Sequence, residues 1–573
     1  MRRLLTVFFV LLALGLALAA LGLLVARRGG AARLVGAERV LTLELAGGLD
    51  DYRAAAPLPW LDAREPADLA ALWRALGAAR ADATVRALAV RIGDLGFGLA
   101  KAQEIRRQLA AVAAAGKPVA CYLDTAGEGS NGTLEYYLAA ACSSISLAPA
   151  GELNLLGLWA DPLFFRGSLE KLRIEPSFLT AGRYKSAAEA FTEHGHSPAA
   201  REALDAVLDG YFRQLVGGIA AARGLSAAEV SALVDAAPLS AARALEARLV
   251  DRLEYADELR ARLDEELGGD LEWLPLSSAA RPPAAGGDEI AVVFAAGPIV
   301  RGAGGFDPWT RDSAIGARGL GSALDELADD RGVRAVVLRV DSPGGSAVAS
   351  DLLHHQVRAL ARRKPVVVSM SDLAASGGYY LAAGASRIVA EPATLTGSIG
   401  VVMGKLATAR FEEELLGVTR DPLARGAQAG LYSGARPFDD AGRRRLEVRI
   451  GEVYDRFLGV VAEGRDLPRA TVERVAQGRI WTGEDALAHR LIDELGGLDA
   501  AVGAARELAG IAAGEERVRF YPRAQGIWEW LAARRPPAFS GELARFAASL
   551  REATRTPGLL ELPAGWRALT RPF

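Results

Sequence analysis

The 573-residue sequence has few of the side chains that most often serve as catalytic bases, metal ligands or reactive thiols. It contains only five histidines and two cysteines. The cysteines, Cys121 and Cys142, do not have the spacing of a metal site. We therefore expect no metal and no other cofactor.

The sequence also lacks an excess of charge of either sign. Its 67 lysines and arginines nearly balance 70 aspartates and glutamates, and the formal net charge is −3. We therefore expect no nucleic-acid partner. The two cysteines lie in apolar surroundings, where they could form one disulfide. We favour two buried thiols, so the cysteines do not identify a cellular compartment.

The N-terminus holds the longest apolar run. Residues 4–26 carry no charge and are flanked by Arg2-Arg3 and Arg27-Arg28. As a helix this run is long enough to cross the hydrocarbon core of a bilayer. A cleaved signal peptide is the alternative, and residues 17–19 (ALA) resemble a cleavage site, but the apolar run continues beyond them. We predict an uncleaved transmembrane anchor, whose orientation the arginines on both flanks leave open.

Comparison of the chain with itself shows an internal repeat. Four segments of the first half recur in the same order in the second half, with offsets that drift from 248 to 242 residues. They are residues 85–91 and 333–339, 117–119 and 364–366, 136–140 and 379–383, and 244–251 and 486–493. The constant order indicates a tandem duplication with small insertions, and the length is sufficient for two such domains.

Each half alternates short apolar runs with helical patterns, which predicts βαβ units and an α/β fold with mainly parallel sheets. The long helical patterns at 199–223 and 440–465 could pack as arms against a neighbouring domain. The predicted organisation is a transmembrane anchor (4–26), a first repeat (36–273), a linker rich in Pro, Gly, Ala and Ser (274–288), a second repeat (289–518) and a C-terminal extension (519–573). The extension is either a membrane-surface helix or, as we favour, a packed segment.

The two repeats differ at a serine. Residues 373–382 (LAASGGYYLA) place Ser376 between an apolar run and a helix, opposite Thr133 of the first half. The glycines Gly377 and Gly378 that follow it have no counterpart in the first half. Glycines here allow the backbone to approach a ligand closely or to direct an amide at an oxyanion. The alternative is that Ser376 only caps the helix.

A second glycine-rich turn favours the chemical interpretation. Residues 341–346 (DSPGGS) follow a strand and open a helix, so their N–H groups could face an anion. The first half has the poorer sequence DLGFG at 94–98. No Gly-Lys-Ser/Thr follows residues 341–346, so we discount a nucleotide site.

A nucleophilic serine needs a base, and two kinds of residue are candidates. His354 and His355 lie in the middle of a predicted helix, where a Ser-His-Asp triad is the less favoured reading. Lys185 follows an apolar strand at 177–180, and its counterpart in the second half is Gln428. One half therefore has the lysine and the other the serine. A lysine acts as a general base when burial lowers its pKa toward neutrality.

These motifs resemble the long, duplicated form of the signal peptide peptidase A (protease IV) family, which belongs to the ClpP/crotonase superfamily. The resemblance covers nearly all of residues 36–510 and rests on four segments, namely 182–187 (GRYKSA), 341–346 (DSPGGS), 375–380 (ASGGYY) and 395–400 (LTGSIG). It implies two ClpP/crotonase-like domains and a serine–lysine dyad shared between them. It also implies a homotetramer tethered by N-terminal helices, with its catalytic region outside the bacterial cytoplasmic membrane.

Carried over position by position, the resemblance implies a role for each motif residue. Ser376 is the nucleophile, Lys185 the general base, and Ser398 the serine that orients the lysine. Gly377 and either Gly344 or Gly345 hold the oxyanion. A substrate-binding edge strand is expected over 396–402, including Thr396, Gly397, Ile399, Gly400 and Val401, to which an extended peptide could add.

The expected function is that of a membrane-anchored serine endopeptidase that degrades cleaved signal peptides and other apolar peptides at the membrane. A crotonase-type acyl-CoA enzyme and a non-catalytic membrane scaffold remain as alternatives. The acyl-CoA reading gives no reason for dividing a serine and a lysine between two repeats.

Overall fold

The computed structural model describes residues 38–53, 68–269, 271–279, 287–306 and 313–522. The predicted anchor at 4–26 and the residues beyond 522 lie outside this range. Within the described ranges, no helix has both the length and the apolar character needed to cross a membrane.

The first repeat is an α/β domain built on a six-stranded sheet. Its strands are β1 (Arg39–Gly47), β2 (Val85–Leu95), β3 (Val119–Leu123), β4 (Ser144–Leu147), β5 (Glu152–Leu153), β6 (Glu175–Ala181), β7 (Leu239–Ser240), β8 (Arg252–Leu253) and β9 (Glu272–Pro275). Its helices are α1 (Leu69–Ala81), α2 (Leu99–Ala114), α3 (Thr133–Ala139), α4 (Arg166–Lys171), α5 (Glu189–Thr192), α6 (Pro198–Arg223), α7 (Ala227–Asp235), α8 (Ala241–Glu246) and α9 (Ala256–Leu267). The sheet order is β8-β4-β3-β2-β1-β9, and every neighbouring pair is parallel.

The second repeat has the same core. Its strands are β10 (Asp288–Ala296), β11 (Ile299–Val300), β12 (Gly304–Phe306), β13 (Ser313–Gly316), β14 (Val333–Ser342), β15 (Val366–Ala375), β16 (Arg387–Ala390), β17 (Leu395–Gly397), β18 (Val401–Ala407), β19 (Ile480–Thr482), β20 (Glu494–Leu495) and β21 (Glu516–Tyr521). Its helices are α10 (Ala317–Asp329), α11 (Ala347–Ala361), α12 (Gly377–Ala382), α13 (Asp440–Gly464), α14 (Arg469–Val475), α15 (Gly483–Ala488) and α16 (Leu498–Leu508). The parallel order β20-β16-β15-β14-β10-β21 matches the first sheet strand for strand.

The duplicated motifs make the same contacts in both repeats. Tyr136 donates its hydroxyl to the Leu249 carbonyl at 2.7 Å, and Tyr379 does the same to Leu491 at 2.8 Å. These buried hydroxyls need a partner, because an unpaired polar group in a core is costly. The sequence prediction of a duplicated α/β fold with mainly parallel sheets is confirmed.

Two domain boundaries lie at different residues in the structure from those that the sequence predicts. The expected linker at 274–288 begins with the end of β9, which pairs with β1, and with a 3₁₀ turn over Leu276–Ala279 whose end residues are buried. The expected extension at 519–573 begins with the end of β21, which pairs with β10. The predictions differ from the structure at these residues because β9 runs into a segment rich in Pro, Ala and Ser, and because the correspondence of β21 to β9 is not visible in the sequence.

The cysteines also differ from the expectation of two thiols. Cys121 on β3 and Cys142 after α3 form a disulfide, with their Cα atoms 5.8 Å apart. The sequence could not establish this pairing, because it depends on how α3 packs against β3.

The two repeats are joined through both strands and core. Strand β6 of the first repeat pairs antiparallel with β18 of the second, from Val401 opposite Ala181 to Ala407 opposite Glu175. The first hydrophobic core continues into Leu373 and Leu395 of the second repeat. Helix α6 also crosses between the repeats, since Tyr211 donates to the Ala393 carbonyl at 2.8 Å. These contacts bring the ends of β6 and β15 together.

Candidate active site

Ser376 lies in the one-residue turn between β15 and α12. Its backbone has φ +53° and ψ −115°, which is a strained conformation for a residue other than glycine. The turn is held by hydrogen bonds from the Ser376 N–H to the Gly397 carbonyl (2.9 Å) and from the Tyr380 N–H to the Ser376 carbonyl (2.8 Å). Ser376 stands at the N-cap position, but its side chain caps no amide. The helix-cap interpretation therefore fails.

The side chain that Ser376 does contact is Lys185. The Lys185 Nζ lies 3.1 Å from Ser376 Oγ. It also lies 2.9 Å from both the carbonyl oxygen and the hydroxyl of Ser398. The structure thus brings together, within one chain, the three residues that the sequence motifs selected.

The partners of Lys185 suit a neutral amine. A neutral amine has two N–H bonds and one lone pair, and the two oxygens of Ser398 can accept both N–H bonds. The lone pair is then left for the Ser376 hydroxyl. In this arrangement Ser398 acts on the orientation of the base, and Ser376 is the group whose proton the base can accept.

The electrostatic environment of Lys185 favours that neutral form. The side chain is buried, and burial lowers the pKa of its amine to about 7. Desolvation disfavours an ammonium ion, and among the described residues no carboxylate forms an ion pair with Lys185 to offset this effect. A base with a pKa near the ambient pH is efficient in proton transfer.

The turn at Gln477 and Gly478, from the second repeat, holds the backbone of Lys185 in place. The Tyr184 N–H donates to the Gln477 carbonyl at 2.7 Å, and the Gly478 N–H donates to the Ile399 carbonyl at 2.8 Å. Gly478 has φ +78°, and a Cβ there would lie 2.6 Å from the Lys185 nitrogen. The site therefore requires glycine at this position.

The two glycine-rich turns face each other beside Ser376. A Cβ on Gly344 (φ +99°) would lie 2.6 Å from the Gly377 nitrogen, so these backbones are in contact. The Gly344 N–H is already bonded to Ser342 Oγ at 3.1 Å. Neither Gly345 nor Gly377 has an N–H partner among the described residues. Of the two donors that the sequence left open, Gly345 is therefore the one free to bind an oxyanion together with Gly377.

The expected edge strand is not an edge. Strand β17, which contains Thr396 and Gly397, pairs with β15 on one side and with β19 on the other. Ile399 is fully buried, Gly400 packs against the Ala181 carbonyl, and Val401 pairs with Ala181. The prediction failed because the sequence does not show that β19 and β6 cover this segment.

The histidines take no part in this arrangement. His354 packs edge-on against Tyr380, with ring centroids 5.6 Å apart, and burial lowers its pKa to about 4. His355 is exposed. In the described part of the chain neither histidine hydrogen-bonds to Ser376, so the geometry does not support a Ser-His-Asp triad.

Sequence reasoning missed Gln477 and Gly478. The repeat held a signal for them, because Gly478 stands opposite Ala236 at the offset of 242 that relates this region to the first half. Like Gly377 and Gly378, Gly478 is a glycine that occurs only in the repeat that contains Ser376.

Comparison with known proteins gives the family. A model described as Peptidase family S49 matches two regions, residues 111–269 and 358–512, which lie one in each repeat and together cover more than half of the chain. The chain belongs to peptidase family S49. The two matched regions agree with the duplication.

Individual relatives of this S49 peptidase support the assignment. It is 34% identical to "Serine protease SPPA, chloroplastic" of Arabidopsis thaliana over 75% of this chain, and 34% identical to "Protease 4" of Salmonella typhi over 69% of this chain. The alignments span 64% of the length of each relative.

Two solved structures are also similar in part. A ClpP1 mutant from Listeria monocytogenes has 14% identity and a TM-score of 0.24, covering 37% of this chain and 94% of its own. A mutant of the 1510-N membrane-bound stomatin-specific protease has 15% identity and a TM-score of 0.26, covering 41% of this chain and 98% of its own.

The requirement for glycine at position 478 gives a first prediction. Gly478→Ala places a methyl group against the Lys185 backbone and is expected to lower kcat of peptide hydrolysis by about 100-fold. Gly510→Ala is the matched control, because Gly510 also has positive φ (+65°) but nothing lies within 4 Å of its added Cβ. Steady-state kinetics of both variants, with melting temperatures, make the test. Equal kcat in the two variants would show that the turn does not position Lys185.

Proposed function

We propose that this S49 peptidase hydrolyses peptide bonds with a Ser376–Lys185 dyad divided between its two repeats. The observation that carries the proposal is the 3.1 Å contact between Lys185 Nζ and Ser376 Oγ. Burial of that lysine supports the same role, because it lowers the pKa of the amine to about 7.

In the first half of the reaction, Ser376 Oγ attacks the carbonyl carbon of the scissile peptide bond, and its proton moves to the Lys185 amine. The carbonyl oxygen becomes an oxyanion held by the N–H groups of Gly377 and Gly345. The C–N bond then breaks, and the Lys185 ammonium gives its proton to the leaving amine. An acyl ester on Ser376 remains.

In the second half, a water molecule attacks the ester carbonyl and transfers a proton to the Lys185 amine. The tetrahedral intermediate collapses, the bond to Ser376 Oγ breaks, and Lys185 returns its proton to Ser376. Ser398 keeps two oxygens on Nζ throughout, so the amine does not have to reorient between the two transfers.

We further propose that the substrates are remnants of signal peptides and other apolar peptides, and that residues 4–26 anchor the protein in the bacterial cytoplasmic membrane with the catalytic region outside. An anchor of this kind would raise the effective concentration of peptides left in the bilayer. The Cys121–Cys142 disulfide supports an oxidising compartment. The acyl-CoA and scaffold alternatives leave the contact between Lys185 and Ser376 unexplained.

We also propose that copies of the chain assemble head to tail into a homo-oligomer, with a tetramer as the expected size. Within one chain, β6 of the first repeat pairs with β18 of the second. At the offset of 243, the counterparts of these strands are residues 418–424 and 158–164, which have no strand partner among the described residues. A head-to-tail contact between two copies would bring these two segments together.

The surface of both segments supports this assembly. Trp159 is 70% exposed and Leu163 65% exposed, while Leu423 is 91% exposed. Exposed apolar side chains grouped within short segments in this way are typical of interaction sites. We assign this surface to a second copy of the chain, because each copy carries both segments and can pair one of them with the other segment of its neighbour.

The dyad is tested by covalent labelling. A fluorophosphonate should add to Ser376 of the wild-type protein, with the mass increase located on the peptide that contains it. Ser376→Ala should not be labelled. The absence of labelling in an otherwise folded wild-type protein would contradict a serine nucleophile and favour the acyl-CoA alternative.

The role of Lys185 gives a pH prediction. Only the neutral amine can accept the Ser376 proton, so kcat/KM should fall about tenfold per pH unit below an apparent pKa of about 7 and level off above it. Lys185→Ala should lower kcat by about 1,000-fold, whereas Lys171→Ala, which removes an exposed lysine of the same repeat, should not change it. A wild-type profile that stays flat down to about pH 5 would exclude a lysine base.

The assembly is tested by the mass of the full chain in detergent, measured by light scattering and corrected for bound detergent. Leu423→Asp and Trp159→Asp should each yield smaller species than the wild type. Leu508→Asp, at an exposed leucine outside both segments, should not. Since the dyad lies within one chain, Leu423→Asp should still react with fluorophosphonate. A wild-type monomer, or an unchanged mass in both interface variants, would refute the assembly.

A further inference from the structure

A cluster of buried charges lies between the two repeats and takes no part in the chemistry above. We call it the inter-repeat charge cluster. The first repeat contributes Asp51, Lys101 and Glu104, and the second contributes Arg339, Asp341 and Asp372. Apart from Asp341, whose side chain is 27% exposed, each of these side chains is at most 7% exposed. Charges buried to this extent need close partners.

Lys101 on α2 contacts three carboxylates of this cluster. Its Nζ lies 3.1 Å from Asp341, 3.8 Å from Asp372 and 4.0 Å from Asp51. These carboxylates raise the pKa of the amine against the opposing effect of burial. Lys101 is therefore a fixed positive charge, shared by two acidic residues of the other repeat.

Asp372 also caps the helix that carries Lys101. Its carboxylate accepts the N–H groups of Gly98 and Lys101, each at 3.0 Å. The N-cap of α2 is Gly98, which has no side chain to satisfy these amides. Asp372 thus supplies from the second repeat the cap that the first repeat lacks.

Asp372 lies where the β14–β15 ladder becomes irregular. Pairing is regular as far as Val340 opposite Met370 and resumes at Ser342 opposite Ala374. Over this step β14 advances two residues and β15 four. Ser371 and Asp372 therefore have no ladder partner, and the pairing of β15 with β17 begins at Leu373 opposite Leu395. Ser376 follows two residues after the ladder resumes. The contacts of Asp372 with α2 hold this segment together with the hydrogen bonds of Ser371, whose carbonyl accepts the Thr394 hydroxyl at 2.8 Å.

Asp341 lies at the other side of the same irregularity. It immediately precedes the turn whose Gly345 N–H faces the proposed oxyanion site, and its side chain bonds to Lys101. The Lys101 ammonium group therefore contacts one residue before the turn that contains Gly345 and one residue before the turn that contains Ser376. The relative position of Ser376 Oγ and the Gly345 N–H depends on the two segments that contain Asp341 and Asp372.

We propose that Lys101 is a positioning residue for catalysis, which sets the nucleophile and the oxyanion turn relative to each other through Asp372 and Asp341. The proposal rests on the Ser376 nucleophile proposed above. Lys101 does not touch the reacting atoms. Its loss should misplace Ser376 against Gly345 without removing either group, and small misplacements of reacting groups are costly in rate.

A second ion pair on α2 provides a matched control. Arg107 bonds to Glu391 of the second repeat, with one N–O distance of 2.9 Å, and so also ties the two repeats together. Glu391 follows β16 and touches neither catalytic turn. If Lys101 only stabilised the contact between the repeats, Lys101→Met and Arg107→Met would have the same kinds of effect.

The experiment compares Lys101→Met, Asp372→Asn and Arg107→Met in the full chain with wild type. We expect Lys101→Met and Asp372→Asn each to lower kcat by about 10- to 100-fold, with KM changed less than about threefold, because substrate contacts remain. The rate of Ser376 phosphonylation should fall in parallel. Arg107→Met should lower the melting temperature and leave both rates unchanged. The double variant of Lys101 and Asp372 should lose no more than the worse single variant, because the two act as one unit.

Two further outcomes decide between the proposals. If wild-type Ser376 reacts with fluorophosphonate and both Lys101→Met and Asp372→Asn react equally fast, the positioning role is wrong and the dyad stands. If wild-type Ser376 does not react, the proposed function itself fails. Asp372→Asn is nearly isosteric, so it provides the test if Lys101→Met does not fold.

Discussion

The ladder between β6 and β18 is the contact on which the candidate site depends. It joins the repeats over seven residue pairs and ends at Ala181 opposite Val401. Lys185 follows that end by four residues on one strand, and Ser398 precedes it by three residues on the other. A slip of one residue would move one strand by about 3.3 Å and turn its side chains to the opposite face. The 2.9 Å contact of Nζ with Ser398 would not survive it. The register of an ordinary antiparallel pair thus sets the position of the Lys185 amine.

Two buried lysines at the contact between the repeats show how environment determines chemistry. Lys185 has hydroxyl and carbonyl partners, and burial lowers the pKa of its amine to about 7. Lys101 is equally buried but touches three carboxylates, and the pKa of its amine is raised. The first can release and accept a proton near neutral pH, and the second cannot. Burial alone therefore does not make a base, because the deciding factor is whether a negative charge accompanies the lysine.

Sequence reasoning could predict those parts of the molecule that depend on local pattern or on the duplication. Helix α11 begins at Ala347, directly after the turn at 341–346, and the comparison of the halves is sufficient to select Ser376 and Lys185. The features it could not predict are contacts between distant segments. The covering of β17 by β19, the Cys121–Cys142 pairing and the capping of α2 by Asp372 each join residues whose proximity depends on tertiary packing. Local sequence contains no information about which edge is covered.

The first repeat has turns at the same positions as the second, but the side chains of these turns form structural hydrogen bonds. Thr133, opposite Ser376, gives its hydroxyl to Asn131 at 2.6 Å. Glu135, opposite Gly378, is buried and accepts the Leu95 N–H of the DLGFG turn at 2.9 Å. The start of α2, which corresponds to the oxyanion side of the second repeat, binds the Asp372 carboxylate instead. A developing oxyanion in the first repeat would meet two buried carboxyl groups, and the Gly98 N–H at the start of α2 already donates to one of them, Asp372. Restoring a serine at position 133 alone therefore could not create a second active site. In the first repeat, the backbone N–H groups that could bind an anion instead bind the Asp372 carboxylate, which lies on the strand that leads to Ser376.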